Sequence, residues 1–238
     1  MQTYTIKLIE KQEVADQTVA FVFNKPEEFV FQAGQYVVMT LPTLTFPDDR
    51  RGMRSLSIAS APYENQLVFA MRITQSGFKQ TLNAMEIGGE VTITQAIGHF
   101  VLDESDRPVT FLIGGIGITP ARSILRQAVH DGSKRPFYLF YSNRHPEDAS
   151  FANELQDFPE LNYTCIDTLT NQEAAESCEW QEERGYICDT MLQKYIADIK
   201  HSMYYIVGSP TFANAMITML TGMGVEKESI KQDPFTGI

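Results

Sequence analysis

The chain has 238 residues, 43% of them apolar, which is enough for one large domain or two smaller ones with packed cores. No apolar run approaches the roughly 18 residues that a membrane-spanning helix needs, and the first residues lack the pattern of a signal peptide. The net charge of -11 disfavours nucleic acid and anionic membrane surfaces as partners, so the sequence predicts neither nucleic-acid binding nor membrane insertion.

The cysteines and histidines of the chain exclude two further classes of protein. Cys165, Cys178 and Cys188 are too few and too widely spaced for a disulfide framework or an iron–sulfur cluster. Free thiols are typical of a reducing compartment, so we expect a cytoplasmic protein. The four histidines share no metal-ligand spacing, and no metal site is predicted.

The first hundred residues predict short strands separated by turn formers. The strand segments are rich in β-branched and aromatic residues, as in Thr18–Phe23. Another strand is expected to begin near Arg54, and one short helix near 79–85. Strands at this spacing are typical of a small antiparallel barrel. The other predicted strands are residues 4–9, 36–41, 67–73 and 90–94.

The polar stretch Asp103–Pro108 ends this pattern. After it, apolar strands alternate with helices, beginning with strand 109–113 and the amphipathic helix 120–130. This order predicts a doubly wound parallel sheet. We therefore expect a six-stranded antiparallel barrel over residues 1–104 and an α/β domain over residues 105–238. The remaining predicted strands are 137–141, 163–166 and 203–207, and the remaining helices are 151–158, 190–196 and 212–220.

A glycine-rich loop, Gly114–Pro120, joins the first strand of the α/β half to its helix. Glycines let the backbone approach a ligand, Thr119 is a suitable helix cap, and Pro120 suits the first helical position. The helix start would then bind a pyrophosphate. A tight turn without a ligand remains the alternative, since the spacing is not that of the dinucleotide fingerprint. No Walker lysine is present, so a nucleoside triphosphatase is not expected.

A second motif, Arg54-Ser55-Leu56-Ser57, stands in the β-rich half. An arginine here can bind a phosphate with two parallel hydrogen bonds, and Ser57 can donate to a ring nitrogen. The alternative is a surface arginine beside a serine-rich edge strand.

These motifs occur with five other segments in one order: Phe31–Tyr36, Ser76–Leu82, Gly98–Phe100, Tyr205–Pro210 and Gln232–Gly237. In order and spacing, the whole set resembles the ferredoxin–NADP reductase family, above all its short stand-alone bacterial modules. The resemblance implies an FAD-binding barrel domain at 1–104 and an NAD(P)-binding domain at 105–238.

The resemblance also implies residue roles. Arg54 would bind the flavin phosphate, Ser57 would face N5 of the flavin as a catalytic residue, and Asp233 would serve a proton relay. The residues implied to bind flavin are Arg54, Ser55, Leu56, Ser57, Met71, Arg72, Ile73, Gly77, Phe78, Lys79 and Phe235. Those implied to bind the nicotinamide dinucleotide are Gly115, Gly117, Ile118, Thr119, Gly208, Ser209 and Pro210. The residues after Gly77 suit a pyrophosphate, which favours FAD over FMN.

Three positions depart from the family pattern. Leu56 replaces an aromatic residue, Val207 replaces a cysteine, and Ile238 replaces a terminal tyrosine. We expect these changes to affect the reaction rate and the choice of redox partner more than flavin binding.

The choice between NADPH and NADH depends on the end of strand 137–141. No acidic residue follows this strand to bind a ribose diol, whereas Ser142 and Arg144 can receive a 2′-phosphate. We expect NADPH, with NAD as the other option. The alternative is that Arg144 pairs with Glu147 or Asp148.

The expected reaction is hydride transfer from NAD(P)H to bound FAD, followed by release of single electrons to a separate redox carrier. Such a carrier, for example a ferredoxin or flavodoxin, is a small acidic protein, and Arg50 and Arg51 are candidates for docking it. Two alternatives stay open. One is a flavin-free NAD(P)-dependent dehydrogenase of a small molecule, and the other is a non-catalytic flavin-binding regulatory subunit.

Overall fold

A computed structural model describes residues 2–234, which form two compact units. The first unit holds the chain up to Leu102 together with Thr119–His130, and the second holds Asp103–Ile118 and the chain from Asp131 onward. The chain first crosses between units close to the predicted boundary after residue 104, whereas helix 119–130 groups with the first unit. The assignment of 1–104 and 105–238 as two functional domains stays a prediction.

Six antiparallel strands form the sheet of the first unit. They are β1 (Thr3–Ala15), β2 (Thr18–Asn24), β3 (Tyr36–Thr40), β4 (Met53–Ser57), β5 (Gln66–Arg72) and β6 (Glu90–Thr94), in the order β4-β3-β6-β1-β2-β5. Just beyond β4, Ala59 donates its N–H to the carbonyl of Val68 in β5 at 2.8 Å, so the two edge strands meet. The predicted six-stranded antiparallel barrel is confirmed.

Strand β1 shows how side-chain alternation builds the barrel core. Ile6 and Leu8 are buried, whereas Thr5 and Lys7 are exposed. The strand is longer than the predicted 4–9, because its second half continues the pairing with β2 after a register shift at Leu8. That half is charged and shows no buried alternation, so its sequence carries no strand pattern.

Two helices belong to the first unit, α1 (Gly77–Ala84) and α2 (Ile118–His130). Side chains of α2 donate to the backbone that follows β4: Arg122 Nη1 to the carbonyl of Ala59 at 2.7 Å, and Ser123 Oγ to that of Ser60 at 2.6 Å. Because these bonds are buried, they are a physical reason why α2 groups with the barrel.

The second unit contains a fully parallel sheet. Its strands are β7 (Val109–Gly114), β8 (Pro136–Asn143), β9 (Asn162–Leu169), β10 (Glu183–Arg184), β11 (Met203–Gly208) and β12 (Ile230–Pro234), in the order β10-β9-β8-β7-β11-β12. The order reverses at β7, which pairs with β8 on one side and β11 on the other. Sheets of this type bind ligands at the carboxyl ends of the strands where the order reverses. The predicted doubly wound fold is confirmed.

The helices of the second unit are α3 (Ala152–Leu155), α4 (Gln172–Ser177), α5 (Asp189–Tyr195) and α6 (Pro210–Gly222). The sequence did not predict α4, β10 or β12. Helix α4 is short and mostly polar, β10 has two residues, and β12 reads Ile-Lys-Gln-Asp-Pro, so none carries a hydrophobic period.

Candidate functional site

The guanidinium of Arg54, the expected phosphate ligand, is bound by a carboxylate of the protein itself. Asp48 accepts hydrogen bonds from both Nη atoms of Arg54, the Nη1 bond being 2.9 Å long. It also accepts the backbone N–H groups of Arg50 at 3.2 Å, Gly52 at 2.9 Å and Phe78 at 3.1 Å. Phe78 is the second residue of α1, so Asp48 also lies at the positive end of this helix.

Asp48 is thus an anion at the position where the sequence predicts a phosphate oxygen. Its side chain is 1% exposed, and the hydrogen bonds from Arg54 lower its pKa to about 2 from the usual 3.8. Arg54 places further donors on the carbonyl of Met53 at 2.7 Å and on Ser76 Oγ at 3.1 Å. The sequence analysis missed Asp48 and Ser76. Asp48 and Asp49 stand just before the arginines in the sequence, which shows acidic residues nearby but not which of them binds Arg54.

The segment Thr45–Asp48 lies along the first turns of α1. Thr81 Oγ1 accepts the backbone N–H groups of Thr45 and Phe46 at 3.2 and 3.1 Å. A Cβ atom on Gly77 would lie 1.9 Å from the carbonyl oxygen of Pro47, so only glycine allows this approach. Gly77, which the resemblance assigns to the pyrophosphate, is therefore covered by a loop of the chain.

Lys79 is a buried cation beside this ion pair. Lys79 is 9% exposed, and its ammonium group makes no hydrogen bond or ion pair within residues 2–234. Burial lowers the pKa of Lys79, and the charges of Arg54 and Arg72 lower it further. A buried ammonium group that feels the charges of two guanidinium groups is one that an anion would stabilise.

The three residues that follow Arg54 lie on both faces of β4. Ser55 is exposed, and Leu56 packs partly against the barrel core. Ser57 is 7% exposed, pairs with Tyr36 of β3, and its hydroxyl makes no hydrogen bond within the described residues. The Ser57 hydroxyl is therefore able to form a hydrogen bond with a ligand.

Other residues expected near the flavin contribute their side chains to the barrel core. Met71 and Phe78 are buried in it, and Ile73 packs against it. Their side chains stabilise the barrel, which leaves the backbone as their available contact with a ligand. Arg72, between Met71 and Ile73, is half-buried and lies near Lys79.

At the carboxyl end of β7, residues Gly115–Gly117 form a 3₁₀ turn that runs into α2 at Ile118. Gly115 has φ +52°, which glycine adopts without strain, and the space beside its Cα is open. The prediction that Thr119 caps the helix is wrong, because α2 begins at Ile118, two residues before the predicted start at Pro120. Thr119 is instead a buried helical residue.

At the carboxyl end of β11, Gly208 is followed by the start of α6. Ser209 is the N-cap of this helix, its Oγ accepting the N–H of Phe212 at 3.2 Å, and Pro210 is the first helical residue. The ring of Phe212 lies over the ends of both strands, within 2.7 Å of a Cβ position at Gly208 and 3.4 Å of one at Gly114. The sequence analysis missed Phe212, which only the pairing of β7 with β11 brings to the glycine loop.

The end of β8 carries Ser142, which is buried, and Arg144, which is exposed. The Arg144 guanidinium has no hydrogen bond or ion pair within the described part of the chain. Asp148, one of the partners considered for it, accepts the backbone N–H of His145 at 3.1 Å and faces its Nδ1.

The C-terminal residues of the expected site are described only in part. Asp233 lies in β12 opposite Val207 of β11 and is half-buried. Phe235 and Ile238 lie outside the described residues. No group of three His, Cys, Asp or Glu residues between 2 and 234 is arranged to hold a metal ion. Across the same residues, every helix is too short or too polar to cross a membrane.

Comparison with solved structures identifies the fold. A ferredoxin NADP+ reductase from Neisseria gonorrhoeae with bound FAD and NADP matches with a TM-score of 0.83 and 18% identity, covering 98% of this chain and 99% of that one. The FAD/NAD-binding domain of nitric oxide dioxygenase from Vibrio cholerae matches with a TM-score of 0.82 and 21% identity, covering 97% and 98%. This chain has the ferredoxin reductase fold. The resemblance inferred from the motifs is confirmed.

Sequence comparison agrees with this result. Residues 111–218 match the family of the oxidoreductase NAD-binding domain. Flavohemoprotein A of Dictyostelium discoideum is 25% identical over 94% of this chain and 58% of its own length. One component of the Na(+)-translocating NADH-quinone reductase of Haemophilus influenzae is 26% identical over 90% of this chain and 55% of its own length. The chain thus spans little more than half the length of these curated relatives.

The Asp48–Arg54 pair predicts a pH-dependent stability. The pKa of Asp48 is lower in the folded protein than the usual 3.8, so the pair stabilises the fold above about pH 4, and this stabilisation is lost as the pH falls toward 2. Asp48→Asn is expected to lower the free energy of unfolding by about 1–2 kcal/mol at pH 7. Urea unfolding at pH 7, 4 and 3 measures the free energy of unfolding of both proteins. The difference between the unmodified protein and Asp48→Asn should be smaller at pH 3 than at pH 7.

Asp49→Asn is the matched control, because the Asp49 side chain is 84% exposed and comes no closer to Arg54 than 3.5 Å. It should change the free energy of unfolding by less than about 0.5 kcal/mol. An equal loss in both variants, or a loss in Asp48→Asn that persists undiminished at pH 3, would contradict this account.

Proposed function

We propose that this chain is an NAD(P)H-dependent flavoprotein reductase that uses FAD and passes electrons to a separate redox carrier. One observation carries the proposal above the others: a glycine loop with an open approach lies at the reversal of strand order in a matched oxidoreductase NAD-binding domain. The barrel of the same chain contains Lys79, a buried lysine without an anionic partner between residues 2 and 234, where the resemblance expects a flavin phosphate. The Neisseria reductase, with bound FAD and NADP, supports these two cofactors.

The cofactors supply the chemistry, since FAD accepts a hydride from NAD(P)H and can release the electrons one at a time. The chain would bind the two cofactors, orient them and polarise the flavin. Gly115 and its neighbours would let the dinucleotide approach the backbone, and Ser209 sets the start of α6 beside them. The hydroxyl of Ser57 would donate to the N5 edge of the flavin, and Asp233 would hold a proton for exchange with solvent.

The experiment that tests the proposal is anaerobic reduction of the purified protein after loading with FAD. Bleaching of the yellow absorbance by NADPH or NADH is expected, and Ser57→Ala should slow it about tenfold or more, because a hydrogen bond to the reacting edge is lost. Stopped-flow absorbance measures the rate. Ser177→Ala, which changes an exposed serine of α4, serves as the control and should leave the rate unchanged.

Two outcomes favour the alternatives. A colourless protein that binds no added flavin but oxidises NAD(P)H with a small molecule would be a dehydrogenase. This alternative is favoured by one observation: both Nη atoms of Arg54 already donate hydrogen bonds to Asp48. A flavin that binds and stays oxidised after NADPH and NADH addition would indicate a regulatory role.

We also propose that NADPH is preferred over NADH, because Arg144 is exposed and unpaired among the described residues. Arg144→Gln is expected to raise the Kd for NADPH about tenfold and that for NADH less than twofold, since only NADPH carries the 2′-phosphate. Isothermal titration with each nucleotide measures both constants. Arg184→Gln, at another exposed arginine of the same unit, should change neither; equal weakening of both nucleotides by Arg144→Gln would contradict the proposal.

The carrier proposed for the electrons is a small acidic protein such as a ferredoxin or flavodoxin, docking at Arg50 and Arg51, both of which are exposed. Replacing both by glutamate should raise the apparent KM for the carrier several-fold without changing ferricyanide reduction, because charge complementarity governs encounter. Steady-state assays with the two acceptors make the comparison. Lys134→Glu with Lys227→Glu makes the same change in net charge elsewhere; an equal effect of both pairs would exclude a docking site at Arg50 and Arg51.

A further inference from the structure

The backbone around Arg144 is held by the residues that follow the next strand, β9. The carbonyl of Asn143 accepts the backbone N–H of Thr170 at 2.9 Å and its hydroxyl at 3.3 Å. The carbonyl of Arg144 accepts the N–H of Asn171 at 3.3 Å. The exposed side chain of Arg144 therefore extends from a backbone that is fixed on both sides of it.

The side chain of His145 makes a third connection between the same two segments. Its Nε2 lies 2.9 Å from Nδ2 of Asn171. Its Nδ1 lies 3.1 Å from Oδ2 of Asp148, which also accepts the backbone N–H of His145 at 3.1 Å. Both ring nitrogens thus have a partner, and the ring connects the turn after β8 to the start of α4.

The amide of Asn171 determines which nitrogen of His145 carries the proton. Asn171 is the N-cap of α4, and its Oδ1 accepts the N–H of Ala174 at 3.2 Å. This hydrogen bond fixes the amide with Nδ2 facing the imidazole. Because an amide nitrogen of this kind only donates, Nε2 of His145 has to accept. The proton of the neutral ring is therefore on Nδ1, which donates it to Asp148.

A fixed backbone matters for an arginine that binds a ligand from the surface. Ordering a long, flexible side chain costs conformational entropy on binding. The cost is lower when the backbone that carries the side chain already has its bound direction. His145 follows Arg144 directly, so the direction of Arg144 depends on how firmly His145 is held.

We propose that His145 is a positioning residue for Arg144. Held as the Nδ1–H tautomer between Asp148 and Asn171, it fixes the direction from which Arg144 reaches the 2′-phosphate of NADPH. Asn171 then has two roles, since it caps α4 and holds the His145 ring. This inference rests on the proposed preference for NADPH, and it identifies the residues that support the arginine.

Nitrogen-15 NMR of the imidazole rings at about pH 8, where a histidine is ordinarily neutral, tests the tautomer. The unmodified protein should carry the His145 proton on Nδ1. Asn171→Asp keeps the helix cap but places an acceptor opposite Nε2, so a proton should now be found on Nε2. His145→Gln identifies the signals of this ring. A proton on Nε2 in the unmodified protein would overturn the inference.

The functional test uses Asn171→Ser, because serine also caps helices but lacks the Nδ2 donor. It should raise the Kd for NADPH about fivefold and that for NADH less than twofold, since one hydrogen bond to His145 is lost. In a protein that already carries Arg144→Gln, the same change should alter the Kd for NADPH less than twofold, because a positioning residue acts only through the residue it positions. Isothermal titration of the full-length proteins gives each Kd.

Asn153→Ser is the matched control, since Asn153 is an exposed asparagine of the same unit, and it should change neither Kd. An unchanged Kd for NADPH in Asn171→Ser would overturn the inference. Equal weakening by Asn171→Ser with and without Arg144→Gln would also overturn it, because the effect would then not pass through Arg144. If circular dichroism shows that Asn171→Ser does not fold, His145→Gln takes its place in the comparison.

The failure of this inference can be told apart from failure of the proposed function. If the unmodified protein binds neither nucleotide, the proposed function fails. If Arg144→Gln leaves the Kd for NADPH unchanged, the preference for NADPH fails and the inference with it. If Arg144→Gln weakens NADPH whereas Asn171→Ser does not, the inference alone fails.

Discussion

The hydrogen-bonded ion pair between Asp48 and Arg54 is the constraint on which the flavin half of the site depends. It joins the loop after β3 to β4, and through the N–H of Phe78 it joins both to the start of α1. A carboxylate held this way is strongly stabilised in its ionised form, as its low pKa indicates. Together with the hydrogen bonds to Thr81 Oγ1, the pair ties this loop to the start of α1.

The nucleotide half depends on a different constraint, the reversal of strand order at β7. This topology brings the ends of β7 and β11 together, so the glycine loop and the capped start of α6 are neighbours although almost ninety residues of sequence separate them. Phe212 packs over both strand ends and fills the space beside them. The backbone N–H groups of a turn and a helix start are thus presented together, which suits an anionic dinucleotide.

Sequence reasoning predicted the fold well because both halves carry strong periodic signals. The alternation around Ile6 and Leu8 and the apolar run of β7 each determine which faces are buried. It failed where the signal is not periodic. Helix α4 and strand β12 are short and polar, and α2 begins early, directly after the 3₁₀ turn Gly115–Gly117.

For the candidate site, too, the sequence predicted some features and missed others. Motif order placed Arg54, Ser57 and the glycine loop in the correct elements, because linked motifs report the fold. It could not reveal that Arg54 is saturated, since the partner, Asp48, stands in an irregular loop whose path depends on tertiary contacts with Thr81. Electrostatic partners of this kind are set by packing, and a sequence read residue by residue contains no distance between them.

The most direct measurement is a crystal structure of the protein grown with FAD. The account predicts flavin bound in the barrel, with Ser57 Oγ within hydrogen-bonding distance of the N5 edge of the flavin ring. A structure in which the barrel binds no flavin, or in which Ser57 lies away from this edge of the ring, would contradict it.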